Sequence, residues 1–440
     1  MKEFIKKLIP EWLLGFYHLI LAFFGALIYG FPSRKLKVIG VTGTNGKTTT
    51  AEMIVRIFEK VGYKVALLNS IRFKIGKKEE INTLRMTMPG RFFIQRFLRK
   101  AVNSSCQYAV LEVTSEGIKQ HRHRFINFEA AVFTNLTPEH IEAHGSFEKY
   151  RESKGKLFQA TKSVHIINID DKNAEYFLKF PAKKKICFAL KENSGKPFSA
   201  IKAKNIQVLQ SGLKFFVDGT EFNLKLLGEF NISNALAAIC VGLSQGISLE
   251  TCRKALEKIE KILGRMELVI SEPLKVFVDH AFTPNALEKV YQTLQRTKNK
   301  EQRTKMICVL GSCGGGRDKW KRPVLGEIAS KYCQKIILTN EDPYDEDPME
   351  IINQIEVGIK NKELGENYWK ILGRREAIRK ALSLAKKDDL VTITGKGCEP
   401  SICVKGGKKI PWDDRQVVRE EFQKISVNQR THQRQSASTL

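Results

Sequence analysis

Gly43-Thr44-Asn45-Gly46-Lys47-Thr48-Thr49 is the stretch on which the reading of the whole chain turns. The apolar run Leu36 to Thr42 before it reads as a short strand. The residues after it, Thr48 to Val61, have helical spacing, with Ile54, Ile57, Phe58 and Val61 on one face. A glycine-bearing turn between a strand and a helix is the setting that phosphate binding requires, although an ordinary glycine turn is the plainer alternative. The glycines let backbone N–H groups approach phosphate oxygens, and the helix N-terminus adds a favourable dipole. In that role Lys47 offsets the charge of the β- and γ-phosphates, and the Thr48 hydroxyl is a ligand for Mg²⁺. Val41 stands where the strict pattern has glycine, so the loop is a variant.

Outward from the loop, Tyr108–Val113, Ala130–Thr134 and His165–Ile169 read as further strands alternating with helices. This argues for an α/β fold whose central ATPase domain has a mainly parallel sheet. Leu213–Val217 and Glu221–Leu227, joined by Asp218-Gly219, read as a β-hairpin, followed by a helix from about Ile232 to Gly246. A second series begins near Leu268, with strands at Lys275–Asp279, Ile307–Leu310, Lys335–Thr339 and Leu390–Thr394. Helical stretches such as Pro284–Leu294 and Arg375–Lys386 lie between them. It predicts a C-terminal, Rossmann-like α/β domain. The expected division is an apolar N-terminal helical segment (1–35), a central domain (36–265), a C-terminal domain (266–425) and a polar, disordered tail (426–440).

The 440 residues carry a formal charge of +27. The lysines are spread along the chain without a helix-turn-helix, finger or RNA-binding signature, so no nucleic-acid partner is expected. The bland alternative is a solvated lysine-rich surface; attraction to anionic substrates or membranes is the other. The nine cysteines include no C-x-x-C pair or zinc spacing and read as the reduced thiols of a cytoplasmic protein. From Trp12 to Phe31 the chain is almost wholly apolar, with Lys6 and Lys7 before it and Arg34, Lys35 and Lys37 after it. Three readings stay open: a helix packed on the protein or a partner, an interfacial membrane helix, or a membrane span. A cleaved signal peptide is disfavoured, because the phosphate loop follows closely and needs cytoplasmic ATP.

Glu112 closes the strand YAVLEV, at the end where α/β folds place ligands. It is a candidate Mg²⁺ ligand opposite Thr48, with a capping or salt-bridge role equally open. His140 is a candidate second ligand, although lone histidines are more often structural. Lys154, in isolation, is an ordinary helix lysine.

The order of motifs resembles the Mur ligase family, and within it the UDP-N-acetylmuramyl-tripeptide synthetase branch. GTNGKTT at Gly43–Thr49, EVTSEG at Glu112–Gly117, FTNLTPEHIEAHG at Phe133–Gly145 and the region Tyr150–Phe158 carry the likeness. It continues through GEFNISNALAA at Gly228–Ala238, GRME at Gly264–Glu267, DHAFTP at Asp279–Pro284, GGGRDKWKRP at Gly314–Pro323 and GKGCE at Gly395–Glu399. The resemblance implies an ATP- and Mg²⁺-dependent amide ligase of cell-wall precursor synthesis, working through an acyl phosphate. By the same likeness Thr48 and Glu112 hold one Mg²⁺, and His140 and Lys154, the latter as a carbamate, hold a second. Asn231, Asn234 and Asp279 would contact the adenosine. Helix capping is the alternative for the two asparagines. Thr87, Thr114, Gln120 and Arg122 would hold the muramyl-peptide acceptor. Arg317, Glu341, Asp342, Tyr344, Gly395 and Glu399 would surround the free amino acid.

Several positions depart from the branch. Only about 35 residues precede the core, where the branch carries a domain for the acceptor's uridine nucleotide. This raises a lipid-linked acceptor, with residues 12–31 at the inner face of the membrane, beside the UDP-linked one. Glu341-Asp342-Pro343-Tyr344 replaces the diaminopimelate motif Asp-Asn-Pro-Arg, so Tyr344 removes the arginine that would grip a distal carboxylate. Two acids there suit a distal amine better. His280, Phe282, Cys398 and Glu116 also differ from the usual residues. Other readings are an amidating subunit acting on a lipid-linked precursor and a membrane-tethered nucleotide-binding regulator. The intact Glu112, His140 and Lys154 argue against the regulator.

Overall fold

Lys37–Thr42 (β1) is built of apolar and small residues, and all but Lys37 are buried. Such a strand, covered on both faces, belongs in the middle of a parallel sheet. The computed structural model describes residues 10–190, 200–297 and 304–437. It divides into two compact units, Met1–Glu260 and Lys261–Leu440. The branch from sequence to fold holds: each unit is an α/β unit with a large sheet.

In the first unit the other strands of the main sheet are β2 (Val65–Leu68), β3 (Arg72–Ile75), β4 (Lys78–Ile81), β5 (Tyr108–Glu112), β6 (Phe128–Phe133), β7 (Val164–Asn168), β8 (Lys184–Ala189) and β9 (Ala200–Lys202). Their order is β4-β3-β2-β5-β1-β6-β7-β8-β9. All pairings are parallel except those of β3, which is antiparallel to β2 and to β4. The chain leaves β1, passes over β5 to β2, and later returns to β6 on the other side of β1. The crevice beyond the carboxyl ends of β1, β5 and β6 is therefore a topological switch point, where open α/β sheets bind ligands. Val41 pairs with Glu112 and Thr42 with Phe133, which brings the ends of these strands level.

A second, three-stranded sheet follows, made of β10 (Lys204–Leu209), β11 (Gly212–Val217) and β12 (Thr220–Leu224). The expected hairpin is β11–β12, turning through Asp218 and Gly219, both with positive φ. Such a turn matches strand twist. The added partner β10 lacks a clear alternating pattern and was not legible.

Helices α1 (Glu11–Ile28), α2 (Lys47–Lys60), α3 (Arg91–Asn103), α4 (Ser115–Lys119), α5 (Ile141–His144), α6 (Phe147–Ala160), α7 (Ala174–Leu178) and α8 (Phe230–Ser244) belong to this unit. The apolar segment does not form a span: among the described residues no helix is long and apolar enough to cross a membrane. Helix α1 stops at Ile28 because Gly30 and Phe31 take positive φ and Pro32 follows. Lys6 and Lys7 lie outside the described residues.

The second unit has a six-stranded sheet of β13 (Glu267–Ile270), β14 (Lys275–Asp279), β15 (Met306–Leu310), β16 (Lys335–Leu338), β17 (Tyr368–Lys370) and β18 (Leu390–Thr394). Its order is β13-β14-β18-β15-β16-β17, parallel apart from the edge strand β13. A small hairpin, β19 (Ser401–Cys403) with β20 (Lys409–Pro411), precedes a last helix at Asp414–Ala437. That helix runs through most of the tail that reads from composition as disordered. Its Gln, Arg and Glu residues are adequate helix formers, so low hydrophobicity alone does not end it.

Candidate functional site

The loop Gly43–Gly46 joins β1 to α2, and Gly46 caps the helix with φ +82°. A side chain at Gly46 would collide with the Asn234 amide, so the position needs glycine twice over, for conformation and for space. Three residues of the segment after β6, Thr134, Asn135 and Thr137, brace the loop. Thr44 N donates to Asn135 O (2.8 Å), Asn45 N to Asn135 Oδ1 (3.0 Å), Thr134 Oγ1 to Asn45 O (2.7 Å) and Thr137 N to Thr44 Oγ1 (3.0 Å). Lys47 Nζ donates to Thr44 O (2.9 Å) and lies 3.8 Å from Glu112 Oε1.

Glu112 ends β5 and is 2% exposed. Its Oε2 accepts from Thr48 Oγ1 (2.9 Å), Ser70 N (3.1 Å) and Ser70 Oγ (3.1 Å). A buried carboxylate with a neighbouring threonine hydroxyl is a hard-oxygen donor set, which fits Mg²⁺. Ser70 Oγ also bonds Thr87 Oγ1 (2.8 Å), so one predicted acceptor residue hangs from the same carboxylate through Ser70.

Helix α6 delivers Tyr150 and Lys154 one turn apart. Lys154 is fully buried, and its Nζ donates to Gly43 O (2.8 Å) while lying 4.7 Å from the centre of the Tyr150 ring. Burial, and then the charge of Lys47, hold its pKa well below the ordinary lysine value. Tyr150 Oη reaches Thr44 Oγ1 (3.1 Å). His140 precedes α5 with φ +57°, and its ring lies 5.9 Å from that of Tyr150. Thr48, Glu112 and Lys154 are thus joined to the loop, and the His140 ring lies beside Tyr150.

The two predicted adenosine-side asparagines stand in the first turn of α8. Asn234 Nδ2 donates to Asn231 Oδ1 (2.9 Å) and Asn231 Nδ2 to Leu227 O (2.7 Å). Neither is the cap, which is Glu229. Among the predicted acceptor residues, Thr114 caps α4, accepting from Gly117 N (3.1 Å). Arg122 donates to Gln120 Oε1 (2.7 Å) and to Met88 O. Burial lowers the Arg122 pKa.

In the second unit, Glu341 and Asp342 follow β16 and Gly395 follows β18. Both carboxylates are buried. Asp342 is neutralised by Lys396 Nζ, 2.9 Å from each of its oxygens, and Lys396 also meets Glu399 Oε2 at 2.5 Å. Glu341 Oε1 accepts from Cys313 Sγ (2.9 Å), but its Oε2 is buried with no hydrogen-bond partner. Burial and Asp342 raise the Glu341 pKa. Gly395, with φ +106°, faces Glu341: a β-carbon there would come within 2.5 Å of Oε2. The Cys313, Glu341 and Asp342 ligand atoms lie within 4.8 Å of one another. The Lys396 ammonium already supplies a cation there. Burial keeps Cys313 a neutral thiol. Tyr344 takes φ +52°, donates its N–H to Cys403 O (3.1 Å), and packs on Gly315. Arg317 sits near enough to act on the Cys313 charge. A cavity of about 410 Å³ opens beside Tyr344, lined by Asp345, Glu346, Asp347 and Lys405 among others. Asp279 is buried elsewhere in this unit. Burial raises its pKa to about 6, and its Oδ2 accepts from Met266 N (2.6 Å). His280 Nδ1 contacts Gly395 O (2.6 Å), and burial lowers its pKa to about 4.

Ser70, Thr134, Asn135, Tyr150, Cys313 and Lys396 were not singled out from the sequence. Thr134, Asn135 and Tyr150 lie inside motifs that carried the resemblance, which was the available signal; Ser70 and Cys313 had none.

Residues 41–242 match the model of the Mur ligase middle domain, and residues 264–397 match that of the Mur ligase, glutamate ligase domain. The UDP-N-acetylmuramoyl-L-alanyl-D-glutamate–2,6-diaminopimelate ligase of Caldanaerobacter subterraneus subsp. tengcongensis is 39% identical over 397 residues, covering 89% of this chain and 79% of that one. The ligase of the same name from Clostridium tetani is 37% identical over 404 residues, covering 90% and 80%. A solved structure of a ligase so named aligns with a TM-score of 0.60 at 29% identity, over 89% of this chain and 79% of that one. The loop, the sheets and these likenesses define an ATP-dependent ligase that forms carbon–nitrogen bonds. The chain belongs to the Mur ligase family.

Proposed function

We propose that this ligase adds an amino acid to the peptide carboxylate of a UDP-linked muramyl dipeptide, in the cytoplasm, during cell-wall precursor synthesis. The observation that carries the reading is the cluster of Thr48, Glu112 and buried Lys154 around a phosphate loop of this family. Residues 36–265 act as the ATP-binding domain and 266–425 as the amino-acid-binding domain. The acceptor carboxylate attacks the γ-phosphorus of ATP, the bond to ADP breaks, and an acyl phosphate results. The incoming amine then attacks the acyl carbon, loses a proton, and inorganic phosphate leaves.

Lys47 and the loop amides hold the phosphates. When bound, Mg²⁺ supplies the charge neutralisation that brings two anions together. Thr48 and Glu112 would hold one ion. His140 and Lys154 would hold the other, with Lys154 as a carbamate. A low lysine pKa supports that modification, because only the neutral amine reacts with CO₂. Asn231, Asn234 and Asp279 serve the adenosine; Thr87, Thr114, Gln120 and Arg122 serve the acceptor.

Arg317 would pair with the amino acid's carboxylate and Glu399 with its reacting amine. The bare Glu341 Oε2 and the loss of arginine at Tyr344 favour a diamino acid whose distal amine, rather than a distal carboxylate, is recognised. A lipid-linked acceptor is the second reading, favoured by the apolar outer face of α1. The purified chain with ATP, Mg²⁺, either acceptor and a panel of amino acids, read by mass spectrometry, tests all of this. A product one residue heavier is expected with the UDP-linked acceptor. No product with either acceptor rejects the reading.

A further inference from the structure

Helix α1 is inverted relative to an ordinary surface helix. Its inward side is small: Gly15, Ala22, Gly25 and Ala26 lie toward the body of the unit. A β-carbon on Gly25 would meet the backbone of Arg91 and Phe92 at 3.6–3.7 Å, and one on Gly15 would meet His121 at 3.7 Å. The close approach is fixed by His18 Nδ1, 2.8 Å from Arg91 Nη2, and by Arg99, which donates to Tyr29 O (2.8 Å) and Gly30 O (2.9 Å). The large side chains point the other way. Phe16, Tyr17, Phe23, Phe24, Leu27 and Ile28 are all exposed, Ile28 by 66%. At 100° per residue these positions share an arc of about 140°, the width of a continuous apolar stripe. Phe23 extends the stripe to the exposed Phe125 ring, 5.4 Å away. A soluble helix buries its phenylalanines and exposes its small residues; this one does the reverse, so its outer face is built to be covered.

The rim identifies the cover. Arg34, 4.6 Å over the Phe31 ring that meets Phe23, its neighbour Lys35, and Arg124 next to Phe125 are exposed beside the stripe, and Arg96 and Lys100 are exposed on the helix that carries α1. Residues 91–107, which include the helix that carries α1, contain no acid at all. Two copies meeting through this face would bring basic rims together, whereas an anionic lipid surface neutralises them. Among the described residues no helix is long and apolar enough to cross a membrane. We propose that α1 docks the protein on an anionic bilayer, lying in the headgroup region with its aromatic face in the acyl boundary. The inference goes beyond the ligase reading and does not depend on it, because vesicle binding needs neither ATP nor acceptor.

The test is co-sedimentation of the full chain with phosphatidylcholine vesicles and with vesicles mixed with phosphatidylglycerol. Two variants accompany it, Phe24→Glu/Leu27→Glu on the stripe and Arg34→Glu/Lys35→Glu on the rim. Both alter exposed side chains, and an unchanged thermal unfolding curve verifies that they fold. The expected result is pelleting with the anionic vesicles alone, weakened by salt, and reduced at least about tenfold by each variant. Absence of pelleting with anionic vesicles overturns the proposal, as does wild-type pelleting by the stripe variant. Sedimentation velocity without lipid covers the remaining occupant: a dimer that the stripe variant dissolves assigns the face to a second copy and overturns it as well.

Discussion

Lys154 Nζ is held against a backbone carbonyl in a site closed to water, with Lys47 near enough to repel its proton. Its depressed pKa means that the neutral amine, the form that takes up CO₂, persists at lower pH than for an exposed lysine. As pH falls through the folded-state value the amine protonates, and the form able to take up CO₂ is lost. Lys154→Ala is expected to lower ligation at least about a hundredfold while leaving ATP binding measurable, since Lys47 and the loop remain. Small carboxylates such as acetate should restore part of the rate if carbamate is the working species. Wild-type ligation by the variant refutes the ligand role. At the other site, Glu341→Gln keeps the shape but removes the charge of the unpartnered Oε2. With a diamino acid as substrate, KM is expected to rise about tenfold, equivalent to the loss of roughly 1.4 kcal/mol from a charged hydrogen bond. The KM for an amino acid without a distal amine should stay put. At this scale the sequence picked out Lys47 and Glu112 for a physical reason, a glycine loop opening a helix and an acid at a strand end, and Lys154 through the family resemblance alone. It concealed residues that act by position, such as Ser70, which reaches Glu112 from 42 positions away along the chain.

Helix α6 connects local sequence to the site, since one helix carries both Tyr150 and Lys154. Ser146 starts it by accepting from Lys149 N (3.2 Å), with Glu148 in the first turn. Loss of such a cap costs about 1 kcal/mol. Ser146→Ala is therefore expected to lower the unfolding temperature by a few degrees and to lower kcat without changing the KM for ATP, as the helix start frays beneath Tyr150. Unchanged stability would mean that packing of α6, not its cap, holds the start. Element positions were partly legible: β14 and β18 fall at the residues expected, and β1, β5, β6, β7, β11, β15 and β16 within two residues. Long apolar central strands announce themselves, whereas β2, buried but only four residues long, does not. Nor do the edge strands β4 and β13, or β3 next to the edge, because a strand at the margin of a sheet needs neither a continuous apolar run nor clean alternation. The length and apolarity of α1 were plain in the sequence, but the side it turns to the protein was set by Arg91, Arg99 and His121, far along the chain.

The molecule as a whole consists of two units, each with its own buried core. The phosphate loop, Asn231 and Asn234 belong to the first, and Asp279 to the second. Nucleotide binding by the first unit has a thermodynamic consequence. A ligand stabilises only the units that bind it, and at a concentration of about a hundred times Kd it contributes roughly 2.7 kcal/mol. Calorimetry of the full chain is expected to resolve two unfolding transitions, and ATP with Mg²⁺ should raise the one that Lys47→Ala leaves unresponsive. If the second transition rises as well, and Asp279→Ala removes only that second rise, the Asp279 carboxylate contributes to nucleotide binding. If it stays fixed in wild type, Asp279 serves its own unit through Met266, and the nucleotide is held by the first unit alone. The buried, backbone-bonded carboxylate makes both outcomes measurable at neutral pH, since its pKa of about 6 leaves it mostly ionised there.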